Sequence, residues 1–564
     1  MKKSLAMKVI SLLIALSMLF SLTACGSKDT KEETTSTSTS SVPGENTSDT
    51  EEIVDPLGKY DPVIELTAWR SQDASMEFFD GDTIDNNIWT RGWENELGIK
   101  IKYVWVVPDT QFEQKLNVAI SSGDLPDLMV VPSKQLKDLA ENDQLHDLTE
   151  VYEKYASPMV KDISNQDPVS FNTAKIGGRL MAIPCMDSSH GQIPILWYRA
   201  DWAKKLGLNE PKTMQDIIAM AEAFTKNDPD GNNKNDTYGI AMSKNFLIPT
   251  EAVGGLKGFF NGFHAYPKAW IKDSSGNLAY GSIQPEVKDA LLQLQKLYKD
   301  GIIDKEFGVK DTAKVVEDVV SDKVGILFGF MFNPLYPLLD NINQNLDAEW
   351  IPVPIPSVDD RLAVPMTSVP VVNYCAVNKD CKYPEALIKL TNFYVDKIDP
   401  NSPNYDINYV TVEGESIILN YSFINFNAPN KNLQMHLNIK EALKTGDESV
   451  LITPEEKTNY GRILRYQQGE RPQWPAAAIF GLETSAFEII HKYIQNNNLI
   501  YDAFYGAPTD TMSEKMATLN QREEEVFTRI VLGDPIDEFD KFVSDWKKLG
   551  GDQITKEVNE RFAE

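Results

Sequence analysis

An α/β fold is what the sequence predicts, and three observations predict it: apolar runs alternating with period two, apolar runs recurring at helical spacing, and the alternation of the two kinds along most of the chain. The composition supports a large core. Of 564 residues 42% are hydrophobic, with 10 Trp, 21 Tyr and 24 Phe, enough aromatic surface for packing and for a stacking site. A chain of this length suits roughly two to four domains of ordinary size.

The first element is an address. Lys2, Lys3 and Lys8 precede the uncharged apolar run Val9–Leu22, fourteen residues long, too short for a helix rising about 1.5 Å per residue to cross about 30 Å of hydrocarbon. It reads as the core of a signal peptide over 1–24. Leu22-Thr23-Ala24-Cys25 resembles the bacterial lipobox, which implies cleavage before Cys25 and a lipidated N-terminal cysteine. Two acyl chains on that residue hold a protein stably on the outer face of the cytoplasmic membrane. The rest of 25–58 is rich in Ser, Thr and Glu, as in Thr34 to Ser41. Such a stretch has too little apolar surface to offset its conformational entropy and is expected as a disordered tether.

Past the tether, Val63 to Trp69 predicts a strand, and Ile99, Ile101, Tyr103 and Trp105 place a second one after Gly98 with one apolar face. Ser121 to Asp127 ends a helix and leads into the short apolar run Leu128–Val131, and a further run, Leu180–Pro184, follows Gly177-Gly178. Thr213 with Asp216 three residues on forms a capping-box start for a helix carrying Ile217, Ile218, Ala221 and Phe224. Pro285 opens another, with Val287, Leu291, Leu294 and Tyr298 on one face and Gly301 at its end. Pro352 to Pro370 is irregular and suits a crossing segment. After Leu482 the pattern is mostly helical, and Glu523-Glu524-Glu525 is expected as a solvated helix face. Trp105 and Trp202 sit inside periodic patterns and read as core.

Charge and motifs exclude several functions. With 55 basic and 83 acidic residues the formal charge is −28, so a phosphate backbone is repelled over most of the surface and nucleic acid is not a partner. The four cysteines, Cys25, Cys185, Cys375 and Cys381, are too few for a disulfide scaffold, and the last three read as buried thiols. No G-x-S-x-G, H-E-x-x-H, Walker loop or G-x-G-x-x-G occurs, and the five histidines, His146, His190, His264, His436 and His491, show no ligand spacing. No catalytic residue is expected.

One loop carries metal chemistry. In Asp228-Pro229-Asp230-Gly231-Asn232-Asn233-Lys234-Asn235-Asp236, oxygen side chains stand at positions 1, 3, 5 and 9, with the Lys234 main-chain carbonyl at position 7, the spacing by which an EF-hand-type loop wraps Ca²⁺. Gly239 stands where the usual bidentate Glu would be, so the last ligand falls to Thr237 or elsewhere. An Asx/Gly turn without a cation is the competing reading.

Several stretches taken together resemble the bacterial extracellular solute-binding proteins of family 1, the carbohydrate receptors of ABC importers that include maltose-binding protein. They are Ile120 to Asp127, Gly178 to Pro184, Leu196 to Leu208, Pro211-Lys212-Thr213, Tyr505 to Thr509, Val543 to Asp552 and Glu557-Val558-Asn559. The C-terminal ones are similar to a longer lipoprotein branch found in Gram-positive bacteria. The calcium-type loop resembles a structural one in alginate-oligosaccharide-binding relatives, with Thr237 where those have an acidic ligand.

The resemblance implies a two-lobed periplasmic-binding-protein-like fold of type II, with the ligand in a cleft between lobes joined by hinge segments. The boundaries it suggests are 59–184 plus about 375–470 for lobe 1, and 185–374 plus about 471–564 for lobe 2. The first crossing falls near Ile183-Pro184 and the return near Val371 to Asn378. The function implied is a monomeric, lipid-anchored receptor that captures an oligosaccharide and delivers it to ABC permease subunits. A peptide or other polar-solute receptor and an extracellular glycoside hydrolase are the rivals. A sugar needs aromatic platforms for its C–H faces and planar polar groups for its hydroxyls. Residues at strand ends that meet this description are Trp69, Arg70 and Asp73; Asp187; Phe332 and Tyr336; and Trp474 and Tyr505. Core packing is the competing reading for each aromatic, and a solvated position for each charge.

Overall fold

The computed structural model describes residues 54–562 except 73–77, 80, 187–189, 413–414 and 482. The signal peptide, Cys25 and most of the tether lie outside the described residues, as do Asp73 and Asp187. Among the described residues no helix is long and apolar enough to cross a membrane.

Strands β1 (Ile64–Gln72), β2 (Ile99–Pro108) and β3 (Leu128–Val131) come first, then helix α1 (Ser133–Glu141) and β4 (Ala182–Met186). Next are β5 (Ile195–Arg199), α2 (Met214–Lys226), β6 (Tyr238–Ile240), α3 (Pro285–Lys299), β7 (Val324–Gly329) and β8 (Trp350–Val353). The chain continues through β9 (Met366–Thr367), β10 (Val371–Val377), α4 (Glu385–Ile398), α5 (Lys431–Thr445), α6 (Pro454–Gln467) and α7 (Ala486–Gln495), and ends with β11 (Ile500–Tyr501), α8 (Asp510–Leu532) and α9 (Asp552–Phe562). Shorter helices fill the connections.

Two sheets organise these elements. The first has the order β2-β1-β3-β10-β4, and the second β8-β5-β7-β6. In the first, β1 runs parallel to β2 and β3, while β10 is antiparallel to β3 and β4. Alternation in β2 buries Ile99 and Ile101 and exposes Lys100 and Lys102, as a strand with one wet face requires. Thr213 and Asp216 form the reciprocal capping box at α2.

Each sheet has its own core. Leu66, Trp89, Trp93, Ile99, Val131, Ile183 and Tyr394 pack around the first. Leu196, Phe224, Phe259, Leu294 and Phe527 pack on one side of the second, and Trp197, Leu327, Ile439, Ile463 and Phe487 on the other. At one end of the second sheet the fully buried Arg199 donates to Asp201 (2.7 Å) and Asp322 (2.5 Å) and lies 4.4 Å over the Trp202 ring. That arrangement satisfies a buried guanidinium with bidentate and stacking partners.

Three expectations are corrected. The segment 375–470 does not belong wholly to lobe 1: Met435 and Ile439 of α5 and Tyr460 and Ile463 of α6 share a core with Ile193, Trp197 and Val324 of lobe 2. Residues 54–58 are docked rather than free, since Asn392 Nδ2 donates to the Pro56 carbonyl (2.9 Å), Lys389 Nζ donates to that of Gly58, and Leu57 packs on the first core. Glu523 is not solvated. It is 0% exposed and accepts from Ser282 Oγ (2.9 Å) and the Tyr280 hydroxyl (3.1 Å). Only Glu524 and Glu525 of the acidic run face water.

The crossings also sit differently. Ile183 and Pro184 lie within β4, so the chain leaves lobe 1 after Met186, and it has already returned when β10 begins at Val371. The third crossing, which no sequence pattern located, lies between Phe426 of the first core and Met435 of the second-lobe core. All three meet at one residue. Met186 is paired with Val371 and bridged to Phe426, its amide donating to the Asn425 carbonyl (3.0 Å) and its carbonyl accepting from the Asn427 amide (3.0 Å).

Burial pushes the Glu523 carboxyl up to about 7, while the Lys268 charge and the two hydroxyl contacts pull it down. With the folded value above the unfolded one, the native state holds more protons between about pH 4.5 and 7, so this group's contribution to stability is present below that window and is lost as pH rises through it. Glu523→Gln is expected to match the parent near pH 4.5 and to exceed it by on the order of 2–3 kcal/mol at pH 8. Urea unfolding at the two pH values measures this, and parallel curves would contradict it.

Candidate functional site

Strand ends and crossings bring the lobes together around Met186, the position at which ligands bind in open α/β architectures. On the lobe 1 side, the end of β1 carries Trp69 and Arg70. Trp69 is 1% exposed, its ring stacked on Trp105 (5.2 Å) and its Nε1 donating to the Val130 carbonyl (3.1 Å). It is core, not a platform. Arg70 is also buried: Nη1 donates to the carbonyl of Tyr421 (3.0 Å) and to the Tyr103 hydroxyl (3.4 Å), and Nη2 to the carbonyl of Ser422 (3.4 Å). Its role here is to fasten the end of β1 to the turn at 421–422 that precedes the third crossing.

On the lobe 2 side, Asn333 Oδ1 accepts from the Phe330 amide (2.5 Å) and its Nδ2 donates to the Ala252 carbonyl (3.2 Å), fixing the turn after β7. That turn holds Phe332 half-buried against Phe330, with ring centroids 5.7 Å apart. Tyr336 follows and is 56% exposed. Trp474 is 7% exposed and packs edge-on against Trp197 at 6.4 Å, so it too belongs to a core. Tyr505 keeps 40% of its surface.

The sequence did not reveal several groups that the fold brings to the seam. Asp167 caps the helix Pro168–Asn172 of lobe 1, accepting from the Ser170 amide (3.0 Å) and hydroxyl (2.6 Å). Its charge acts on both His190, in the first crossing, and Tyr501, in β11. Burial lowers the His190 imidazole against the pull of Asp167, and its buried Nδ1 has no hydrogen-bond partner among the described residues. Partial burial raises the Tyr501 phenol, and Asp167 adds to that shift.

Close by, a Cβ on Gly506 of lobe 2 would stand 3.5 Å from the Thr173 carbonyl of lobe 1 and 3.2 Å from Arg561 Nη2. Arg561, from α9, donates through Nη1 to the Ala507 carbonyl and lies 5.3 Å over the Phe504 ring. Burial raises the Tyr374 phenol, while Thr173 and the Arg561 charge lower it. Farther along, Lys137 of α1 pairs with Asp510 of α8 at 2.9 Å, another tie between the lobes. A carboxylate, an imidazole, phenols and a guanidinium near enough for their charges to act on one another form a set suited to a polyhydroxylated or otherwise polar solute.

Lys257 completes the lobe 2 side. It is buried, its Nζ donates to the Gln192 carbonyl of the first crossing (3.3 Å), and it stands 5.9 Å over Phe330. Burial pushes the amine down to about 7, against the charge of Asp502, and pushes the Asp502 carboxyl up to about 6 although it accepts from the Trp270 and Phe504 amides. The enclosed cavity beside Lys257, lined by Phe260, Asn261, Tyr266 and Met366, measures about 10 Å³. It has room for about one water and none for a sugar. The carboxyls of Asp502 and Glu523, both pushed up by burial, lie in lobe 2 and are engaged by its own amides or hydroxyls.

The acidic loop lies between α2 and β6. Asn232 Nδ2 donates to Asp230 Oδ2 (2.6 Å) and Asp236 Oδ1 (3.0 Å), the Asn233 amide donates to Asp228 Oδ2 (3.1 Å), and the Lys234 amide donates to Asn232 Oδ1 (2.7 Å). Asp228 Oδ1 is buried without a hydrogen-bond partner among the described residues. Burial, the Asp228 contact and the Asp236 charge raise the Asp230 carboxyl. Crowded carboxylates with an orphaned oxygen fit a hard cation. Thr237, after the loop, is buried, and its Oγ1 donates to the Phe224 carbonyl (2.8 Å), which ties the start of β6 to the end of α2.

A model of the bacterial extracellular solute-binding protein family matches residues 76–397. The chain is 23% identical over 479 residues to the lipoprotein LipO of Bacillus subtilis (strain 168), covering 83% of this chain and 87% of LipO. It is 28% identical over 254 residues to the fructooligosaccharide ABC transporter substrate-binding protein FusA of Streptococcus pneumoniae, covering 42% of this chain and 45% of FusA. Among solved structures, the FusA EF-hand mutant in complex with fructo-nystose superposes with a TM-score of 0.58 at 16% identity, covering 89% of this chain and 99% of that one. The alginate-binding protein AlgQ2 without calcium ion does so with a TM-score of 0.58 at 16% identity, covering 90% and 99%. These likenesses establish the two-lobed fold.

Arg561 is expected to hold the segment 504–508 against α9. In Arg561→Ala the Ala507 carbonyl loses its donor, and amide exchange over 504–508 should quicken about tenfold or more while global unfolding shifts by less than about 1 kcal/mol. Hydrogen–deuterium exchange read by mass spectrometry checks this. Unchanged exchange in that segment would remove the role.

Proposed function

The chain belongs to the bacterial extracellular solute-binding protein family, and from that premise we propose that it is a lipid-anchored receptor which captures an oligosaccharide between its lobes and delivers it, unreacted, to an ABC permease. The observation that carries this reading is the convergence of three crossings on Met186. Two separately packed lobes joined at one narrow place close by hinge bending, and a permease that engages only the closed form reads occupancy. The oligosaccharide part is supported by relatives named for such ligands and by aromatic rings and polar groups at the seam. The anchor is Cys25, behind a lipobox-like sequence, with the tether after it.

Within this reading Phe332, Tyr336 and Tyr505 supply sugar-facing rings, Asp73 and Asp187 supply hydroxyl acceptors from the segments after β1 and β4, and Asp167, His190 and Tyr501 join them. Trp69, Arg70 and Trp474 act from behind, setting strand ends and backbone turns. Calorimetry across a panel of neutral and acidic oligosaccharides is expected to find a ligand with a Kd of about 10 µM or tighter, recovered intact by mass spectrometry. Tyr505→Ala should weaken it about tenfold. Cleavage of the bound sugar, or binding confined to a peptide panel, would overturn the proposal.

The acidic loop is proposed as a structural calcium site, held by the side chains of Asp228, Asp230, Asn232 and Asp236 and the main-chain carbonyl of Lys234. A cation bound only by the folded state stabilises it by about 2.7 kcal/mol at a hundredfold excess over its Kd. Chelation is therefore expected to lower the melting temperature by several degrees, and the double variant Asp230→Asn with Asp236→Asn should lose that response. A parent protein whose melting ignores both chelator and added calcium would refute the site.

A further inference from the structure

A second cluster of metal-ligand side chains stands apart from both the seam and the acidic loop. His436, Glu488 and His491 place one donor atom each within 4.8 Å of one another. Glu488 and His491 are three residues apart on α7 and so share a face, while His436 reaches them from α5. In sequence the five histidines looked scattered, because the third member lies 52 residues before Glu488.

The His436 ring is fully buried and sits between two acceptors. Nδ1 is 3.1 Å from the Phe480 carbonyl and Nε2 is 3.3 Å from Glu488 Oε2. A neutral imidazole has one N–H. Carbonyl and carboxylate both only accept, so a neutral ring satisfies one of them; in the tautomer with Nδ1–H on the carbonyl, Nε2 offers its lone pair on the Glu488 side. Two ligands each about 2.1 Å from a tetrahedral cation stand about 3.4 Å apart, close to the distance found. A carbonyl fixing Nδ1–H is also the contact that orients a metal-bound histidine.

We propose that His436 Nε2, a Glu488 carboxylate oxygen and the His491 ring bind a divalent transition cation of the zinc type, fastening α5 to α7. Two imidazoles and one carboxylate select borderline ions over calcium, which takes oxygen alone. Two ammonium groups now neutralise Glu488: Lys440 Nζ on Oε2, and Lys492 Nζ 3.4 Å from Oε1. Both lysines are partly exposed on long stems, so Lys440 swings to water when the cation takes Oε2 while Lys492 keeps the other oxygen.

The test uses the full chain, free of any polyhistidine tag and stripped with chelator, titrated with Zn²⁺ and separately with Co²⁺ in excess Ca²⁺ so that the acidic loop is occupied. One equivalent of zinc is expected to bind, and Co²⁺ should give the intense visible absorption of a four-coordinate site with nitrogen ligands. His491→Ala, at a partly exposed position, should keep the parent's circular dichroism and weaken zinc binding about tenfold or more; His436→Gln should do the same, and His264→Ala should leave binding unchanged. Less than half an equivalent bound at about 10 µM free zinc, or parental affinity in His491→Ala, overturns the site. Should His436→Gln fail to fold, His491→Ala decides alone.

Discussion

The pairing of β10 between β3 and β4 is the constraint on which the rest of the molecule depends. Tyr374 to Val377 run antiparallel to Leu128 to Val131 on one side and to Ala182 to Pro184 on the other. Between β4 and β10 the chain builds most of lobe 2, so lobe 1 cannot complete its sheet until that excursion returns. The outgoing and incoming strands are therefore neighbours by necessity, and Met186 faces Val371. When the chain leaves a last time it does so beside the same residue, through Asn425 to Asn427. A hinge is thus a consequence of strand order.

That arrangement divides the polar chemistry in two. Inside lobe 2, the two most deeply buried charges find partners in the same lobe: Arg199 in Asp201, Asp322 and the Trp202 face, and Glu523 in Tyr280 and Ser282. At the seam, groups remain that a partner can still satisfy, such as His190 Nδ1 and the exposed Tyr336 and Tyr505. An unsatisfied buried donor or acceptor costs free energy until something meets it. At the seam a solute can meet such a group.

Much of the fold was legible in the sequence because its signals are local. Alternation marked β2, the capping box marked the start of α2, and the spacing of oxygens marked the acidic loop. What failed was what depends on distant partners. The apolar face of α5 says that it packs, not which sheet it packs on. Glu523 reads as one of three surface acids until Tyr280 and Ser282, some 240 residues away, close over it. Trp69 and Trp474 have the composition of a sugar platform, yet Trp105 and Trp197 cover them. Asp167 reads in sequence only as a helix cap, and Arg561 meets partners more than fifty residues before it, so neither was marked by its neighbours as a seam residue.

Both proposed cation sites lie within lobe 2, and neither spans the seam. The acidic loop joins α2 to β6, and His436, Glu488 and His491 join α5 to α7, so a cation at either would stiffen one body without restraining the angle between the two. Buried ion pairs such as that of Arg199 act in the same sense. One tie that does span the lobes is the Lys137 pair with Asp510, and surface ion pairs contribute about 0–1 kcal/mol each. Rotation about the crossings at Met186 leaves both cores closed, whereas other displacements must separate packed apolar side chains such as those around Trp93 and Phe527.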